Sequence, residues 1–132
     1  MTDTPERAFR EAESWLVSAK HSLIEASEDD AVINVCCAQA IHAIIRANDA
    51  LCLKFLTYKS TRHDDAAIIF GKLLREGKLP SEAAQFRDLI SDAMRDKSGA
   101  DYGKSTFSYY GAKRYVEGTE SFIAITRGIL KL

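Results

Sequence analysis

The chain has 132 residues, 46% of them hydrophobic and 28% charged, with a formal net charge of −1. That length suits one domain able to bury roughly two thirds of its unfolded surface, and the composition excludes an intrinsically disordered chain. The charge gives no whole-molecule field for nucleic acid, although residues 1–53 carry four Lys/Arg against nine Asp/Glu and residues 54–132 carry fourteen against ten.

In chain order, MTDTPERAF lacks the basic stretch and apolar core of a secretory signal. Thr4-Pro5-Glu6 instead starts a helix, with a hydroxyl cap, proline at the first helical position and a carboxylate near the positive end of the dipole. This first helix is predicted over Pro5 to Ala26, with Ala8, Phe9, Ala12, Trp15, Leu16, Ala19, Leu23 and Ile24 as its apolar stripe. Ser27 to Asp30 forms a short polar break.

Residues 31–56, AVINVCCAQAIHAIIRANDALCLKFL, contain no Gly or Pro and are apolar on nearly every side, which places this second helix in the middle of a bundle. Gln39, His42, Arg46, Asn48 and Asp49 interrupt it too often for a bilayer span, so a cytoplasmic protein is expected. Cys36, Cys37 and Cys52 form no CxxC pair and read as small apolar core residues. Gln39, His42, Arg46 and Asp49 recur along one stripe. A lone histidine on such a helix is ordinarily a satisfied core residue, but Arg46 needs a partner if buried. Asp49, one turn on, supplies it either as an intrahelical pair or as part of a pocket-lining or dimer-lining row.

A polar loop is predicted over Thr57 to Arg62, then a short helix from His63 to Arg75, opened by His63-Asp64-Asp65 and closed by Gly77 in a left-handed cap. Leu79-Pro80-Ser81-Glu82 opens a further helix to about Lys97, with Gly99 closing it. Ala100 to Phe107 reads as loop. Ser108 caps a last helix whose positions Ala112, Tyr115, Val116, Thr119, Phe122, Ile123, Thr126, Ile129 and Leu130 carry bundle spacing. No segment has a strand's period of two. The fold class is therefore all-α, an antiparallel up-down bundle of four long helices plus one short helix, in a single domain over residues 1–132.

Generic catalytic motifs are absent: there is no Walker loop, dinucleotide fingerprint, HExxH or nucleophile elbow, and no metal or cofactor is implied. GAKRYVEG lies inside the last helix, where its glycines mark close helix contact. The remaining informative stretch is Arg95-Asp96-Lys97-Ser98-Gly99-Ala100-Asp101-Tyr102-Gly103.

Taken with AQAIHAIIRANDAL, HDDAAIIFGKLL, GKLPSEAAQFRDLI and TFSYYGAKRYVEGTESFIAI, this stretch resembles the HEPN family of small α-helical nucleotide-binding domains, over most of the chain. The resemblance implies a homodimer and a nucleotide, an RNA or a small nucleotidyltransferase as partner. Family members that cleave RNA carry an arginine, four to six residues and then a histidine. Arg95 matches the arginine, but the three positions open to the histidine hold Ala100, Asp101 and Tyr102. Tyr102 fits the tyrosine of a subset paired with nucleotidyltransferases.

Cleavage by 2′-hydroxyl attack needs a proton-transfer group as well as a cation, and Arg95 supplies only the cation. Asp101 reads either as a base or as a structural partner at the helix end. The expectation is a non-catalytic binding module, with Arg95, Asp101, Tyr102, His42, Arg46 and Asp49 as ligand-binding candidates. The alternatives are a divergent ribonuclease or toxin, particularly if His42 or His63 reaches the site from elsewhere, and a structural dimeric accessory subunit.

Overall fold

A computed structural model describes residues 3–56, 65–102 and 107–132, apart from the side chain of Tyr102. All regular structure among these residues is helical: α1 (Pro5–Ala26), α2 (Asp30–Leu56), α3 (Ala66–Arg75), a 3₁₀ helix (Ser81–Phe86), α4 (Arg87–Tyr102) and α5 (Tyr109–Leu130). The expected loop at Thr57 to Arg62 lies outside the described residues, as do His63, Asp64 and residues 103–106 of the loop expected over Ala100 to Phe107.

The caps follow the local chemistry. Thr4 Oγ1 accepts from the Arg7 amide at 3.1 Å, and Ser108 Oγ accepts from the Gly111 amide at 2.9 Å. Each satisfies one of the four N–H groups that a helix start leaves unpaired. Gly77 adopts φ +70°. The Gly77 and Lys78 amides return to the Leu74 and Leu73 carbonyls, a left-handed close that favours glycine. Asp65 makes no capping hydrogen bond through its side chain.

α2 is the hub, in contact with α1, α5, α4 and α3. Ile33, Cys36, Cys37, Ala40, Ile41, Ala43, Ile44, Ala47, Ala50, Leu51 and Cys52 are all buried on it, as the lack of a polar face requires. By length and hydropathy α2 is also the one helix among the described residues that passes for a membrane span. Its buried Asn48 and Asp49 and its enclosure by other helices fit the core of a bundle. Small residues on α1, namely Ala8, Ala12, Ala19 and Ala26, are fully buried and permit close approach. On α5, Phe122 is fully buried and meets Phe70 edge-on at 6.0 Å and Phe86 at 5.4 Å, which joins α3 and the 3₁₀ helix to the core. A Cβ at Gly118 would lie 3.2 Å from Leu89 of α4, the close helix contact expected there; Gly111 borders only its own cap.

Three expectations are corrected. Trp15 and Ile24 leave the α1 core stripe, Ile24 being 81% exposed, because alanines with Phe9 and Leu16 define the buried line. Ser81 to Phe86 is 3₁₀ rather than α, and its i, i+3 eclipse aligns the buried pair Ala83 and Phe86. The described part of α3 begins at Ala66, and the start expected at His63 lies outside the described residues. Gly99 does not close α4, which runs on to Tyr102. A mid-helix glycine costs about 1 kcal/mol against alanine, and tertiary ties at Ala100 and Asp101, described below, offset it.

Phe122→Ala should cost about 3–5 kcal/mol, because the aromatic cluster has no other atoms to fill its centre. Ile24→Ala on the surface should cost under about 0.5 kcal/mol. Denaturant midpoints of the two variants check this packing.

Candidate functional site

The polar stripe of α2 lies in a seam between α1 and the end of α4, and each of its members has a partner in the same chain. Gln39 Oε1 accepts from Ser22 Oγ at 2.6 Å. The His42 ring stacks on Trp15 with centroids 4.9 Å apart, and its Nε2 lies 3.2 Å from Asp101 Oδ1. Arg46 donates from Nε to Glu11 and from Nη1 to Asp49, both at 2.7 Å, and from Nη2 to Asp3 at 3.1 Å.

Arg46 is the most heavily neutralised cation of this seam, with its side chain 15% exposed. Burial works to lower its pKa, but the hydrogen bonds and charges of Asp49 and Asp3 outweigh that and raise it. Arg46 and Asp49 do form the pair read from their spacing. The pair extends to two acids of the N-terminal region that the spacing could not reveal.

His42 and Asp101 are brought together from α2 and α4, and Lys97 completes the group by donating to Asp101 Oδ2 at 2.7 Å. Burial tends to raise the Asp101 pKa, but the Lys97 hydrogen bond and the nearby His42 outweigh it and hold the carboxyl below its ordinary range. Next to it, Asn34 Nδ2 donates to the Ala100 carbonyl at 2.6 Å. These contacts fasten the last turn of α4 onto α2.

Arg95 lies apart from this group. Its side chain is 69% exposed, with Asp92 and Asp96 each 3.1 Å away. Those two acids raise its pKa, Asp96 first. Asp96 also accepts a short hydrogen bond from the Tyr115 hydroxyl of α5, and burial with that bond raises the Tyr115 pKa well above the ordinary phenol value. Arg95 and Asp101 thus share no partner, and Lys97 with Asp101 occupies a different face of α4. Tyr102 is the last residue of α4, and its side chain lies outside the described part of the structure.

Cys36 and Cys37 are buried, and burial pushes their thiols up to about 11 and about 12, which disfavours the nucleophilic thiolate. Among the described residues no group of three His, Cys, Asp or Glu converges to hold a metal ion. Trp15, Lys97, Asn34, Asp3 and Glu11 are the site residues that sequence reasoning missed. Of their contacts, only Lys97 to Asp101 carries a readable signal, the i, i+4 spacing.

The chain matches no protein-family model and no curated protein sequence.

Two stability predictions follow from this seam. Arg46→Ala removes the guanidinium that three carboxylates share and should cost about 3–5 kcal/mol. Asp49→Ala leaves Arg46 two other acids, so its cost should stay near 1–2 kcal/mol, below the 3 kcal/mol or more expected of a lone buried pair. Denaturant titrations of both variants compare the two losses.

Asp101 adds a pH dependence. The folded-state pKa of Asp101 is depressed, so its stabilisation is fully present above the unfolded value of about 3.9 and is lost as pH falls through the lower folded value. Asp101→Asn should therefore cost about 1 kcal/mol at neutral pH. Below about pH 4 the difference from wild type should shrink toward zero, as paired thermal melts across that range would record.

Proposed function

We propose that this chain is a HEPN-like helical module, arranged as an antiparallel up-down bundle of four long helices and a short one. In this reading it acts in the cytoplasm as a homodimer that binds a nucleotide, an RNA or a partner nucleotidyltransferase without cleaving RNA. The antiparallel arrangement draws support from the α1–α2 pairs Glu11 with Arg46, Trp15 with His42 and Ser22 with Gln39, whose numbers run in opposite senses. The homodimer rests on the resemblance alone, because the polar row that suggested it finds its partners inside one chain.

The observation that carries the non-catalytic reading is the environment of Ala100. It occupies a place where the resemblance calls for the histidine, yet it is 2% exposed and its carbonyl is held by Asn34. A side chain there faces the core, away from any bound RNA. The cation of the motif, Arg95, is likewise engaged by two carboxylates of its own helix. A phosphate must displace them or bind beside them.

A second reading, a divergent ribonuclease or toxin, is favoured by one observation: His42 reaches the end of α4 from another helix. Its geometry suits proton transfer poorly. Asp101 engages Nε2, the nitrogen far from the backbone, and one ring face is covered by Trp15. Only Nδ1, nearer the helix, remains for a substrate.

A single-turnover assay on an unstructured RNA, with divalent ions chelated, tests the choice. Wild type should stay near background, since the absent acid–base group is worth about 10² to 10⁴ in rate. Ala100→His should overpack the core by about 1–3 kcal/mol and gain no cleavage. Robust wild-type cleavage abolished by His42→Ala or Arg95→Ala would install the nuclease reading instead. Mass spectrometry of the purified protein should detect co-purifying nucleotide or RNA if the binding half of the proposal holds.

A further inference from the structure

At the end of the molecule where α2 and α5 finish, Lys54, Phe55, Lys78, Pro80, Ile125, Gly128, Ile129 and Lys131 line an open cleft. Phe55, Pro80, Ile125 and Ile129 give it a mainly apolar floor. Lys54, Lys78 and Lys131 bring three ammonium groups to its lining. Among the described residues none of the three has an ion-pair partner, and Lys54 Nζ lies 5.7 Å from the Phe55 ring centroid. The other cations described above are matched differently: Arg46, Arg95 and Lys97 all have carboxylates.

Gly128 adds a second observation. It sits within α5, where glycine costs about 1 kcal/mol against alanine, and its φ is not in the left-handed region. A Cβ built there meets nothing within 4 Å. Neither backbone conformation nor a packed neighbour requires the glycine, and as a lining residue without a side chain it leaves the cleft unfilled at its position.

The helix C-termini of α2 and α5 nearby each present about half a negative charge, less in sum than three lysines. The site therefore offers net positive charge beside apolar surface. We propose that this cleft binds an amphipathic organic monoanion, a free carboxylic acid with a medium-length aliphatic chain, with the chain on Phe55, Pro80, Ile125 and Ile129 and the carboxylate among Lys54, Lys78 and Lys131. This site is separate from the seam at the end of α4, and the proposal does not depend on the HEPN-like reading.

The test is titration calorimetry with decanoate, beside decyltrimethylammonium as a cation with the same chain, all below their micelle concentrations. Wild type should bind decanoate saturably and the ammonium at least about tenfold more weakly. Gly128→Leu fills the cleft from a helical position that tolerates leucine, and should weaken decanoate at least about tenfold while retaining the wild-type melting temperature or raising it. The Lys54→Glu, Lys78→Glu double variant, altered only on the surface, should weaken decanoate to a similar degree. Absence of saturable decanoate binding to wild type, equal binding of the cation, or undiminished binding by folded Gly128→Leu would each overturn the proposal.

Discussion

A helix as apolar as α2 survives in water only when other helices cover most of its surface, and α2 imposes that condition on the whole chain. Its 27 residues run close to 40 Å at the rise of an α-helix. The covering elements must be nearly as long or be joined end to end. α1 and α5, at 22 residues each, meet the first requirement. The shorter α3, the 3₁₀ helix and α4 meet the second, held together by Phe86 and by the Phe70–Phe122 contact.

Such a core helix has to accommodate any polar side chain it carries, and the solution here is spatial segregation. Gln39, His42 and Arg46 fall on the seam toward α1, where partly exposed acids, a hydroxyl and an indole are available. Arg46 illustrates the balance: a guanidinium removed from water loses several kcal/mol of hydration, which one carboxylate repays poorly and three repay more fully. Asn48 falls off that seam, and its side-chain oxygen is buried without a hydrogen bond, the kind of cost that a purely apolar core avoids.

The seam also explains which parts of the structure could be read from sequence. Periodicity and capping chemistry are local, so Thr4, Ser108 and Gly77 announce themselves, as do the bounds of α1 and α2 and the buried face of α5. What escapes is set by contacts distant in sequence. Beyond the i, i+4 spacing of Lys97 and Asp101, nothing near Gly99 signals that the helix passes through it, because Asn34 and His42, which hold the next turn from α2, lie some sixty residues earlier. Trp15 looks like core by composition, yet its ring is used at the surface as a platform for His42. Likewise Arg95 and Asp101 sit close together in the chain, but their position on a continuous helix turns them to different faces; the loop expected at Ala100 would have let them converge.

That last difference bears on chemistry. Once α4 is continuous, the residues of the resembling motif are sorted by helical angle: Ala100 inward, Asp101 toward α2, Arg95 outward with Asp92 and Asp96. An arginine already satisfied by two carboxylates presents little net charge to a phosphate, whatever its exposure, since an incoming anion meets one cation and two like charges. Described cations without a carboxylate partner lie elsewhere, Lys54, Lys78 and Lys131 around the cleft where α2 and α5 end among them. Exposure and charge balance therefore divide the surface differently from the sequence motif, and it is the balance of charge, more than the presence of an arginine, that decides where an anion gains by leaving water.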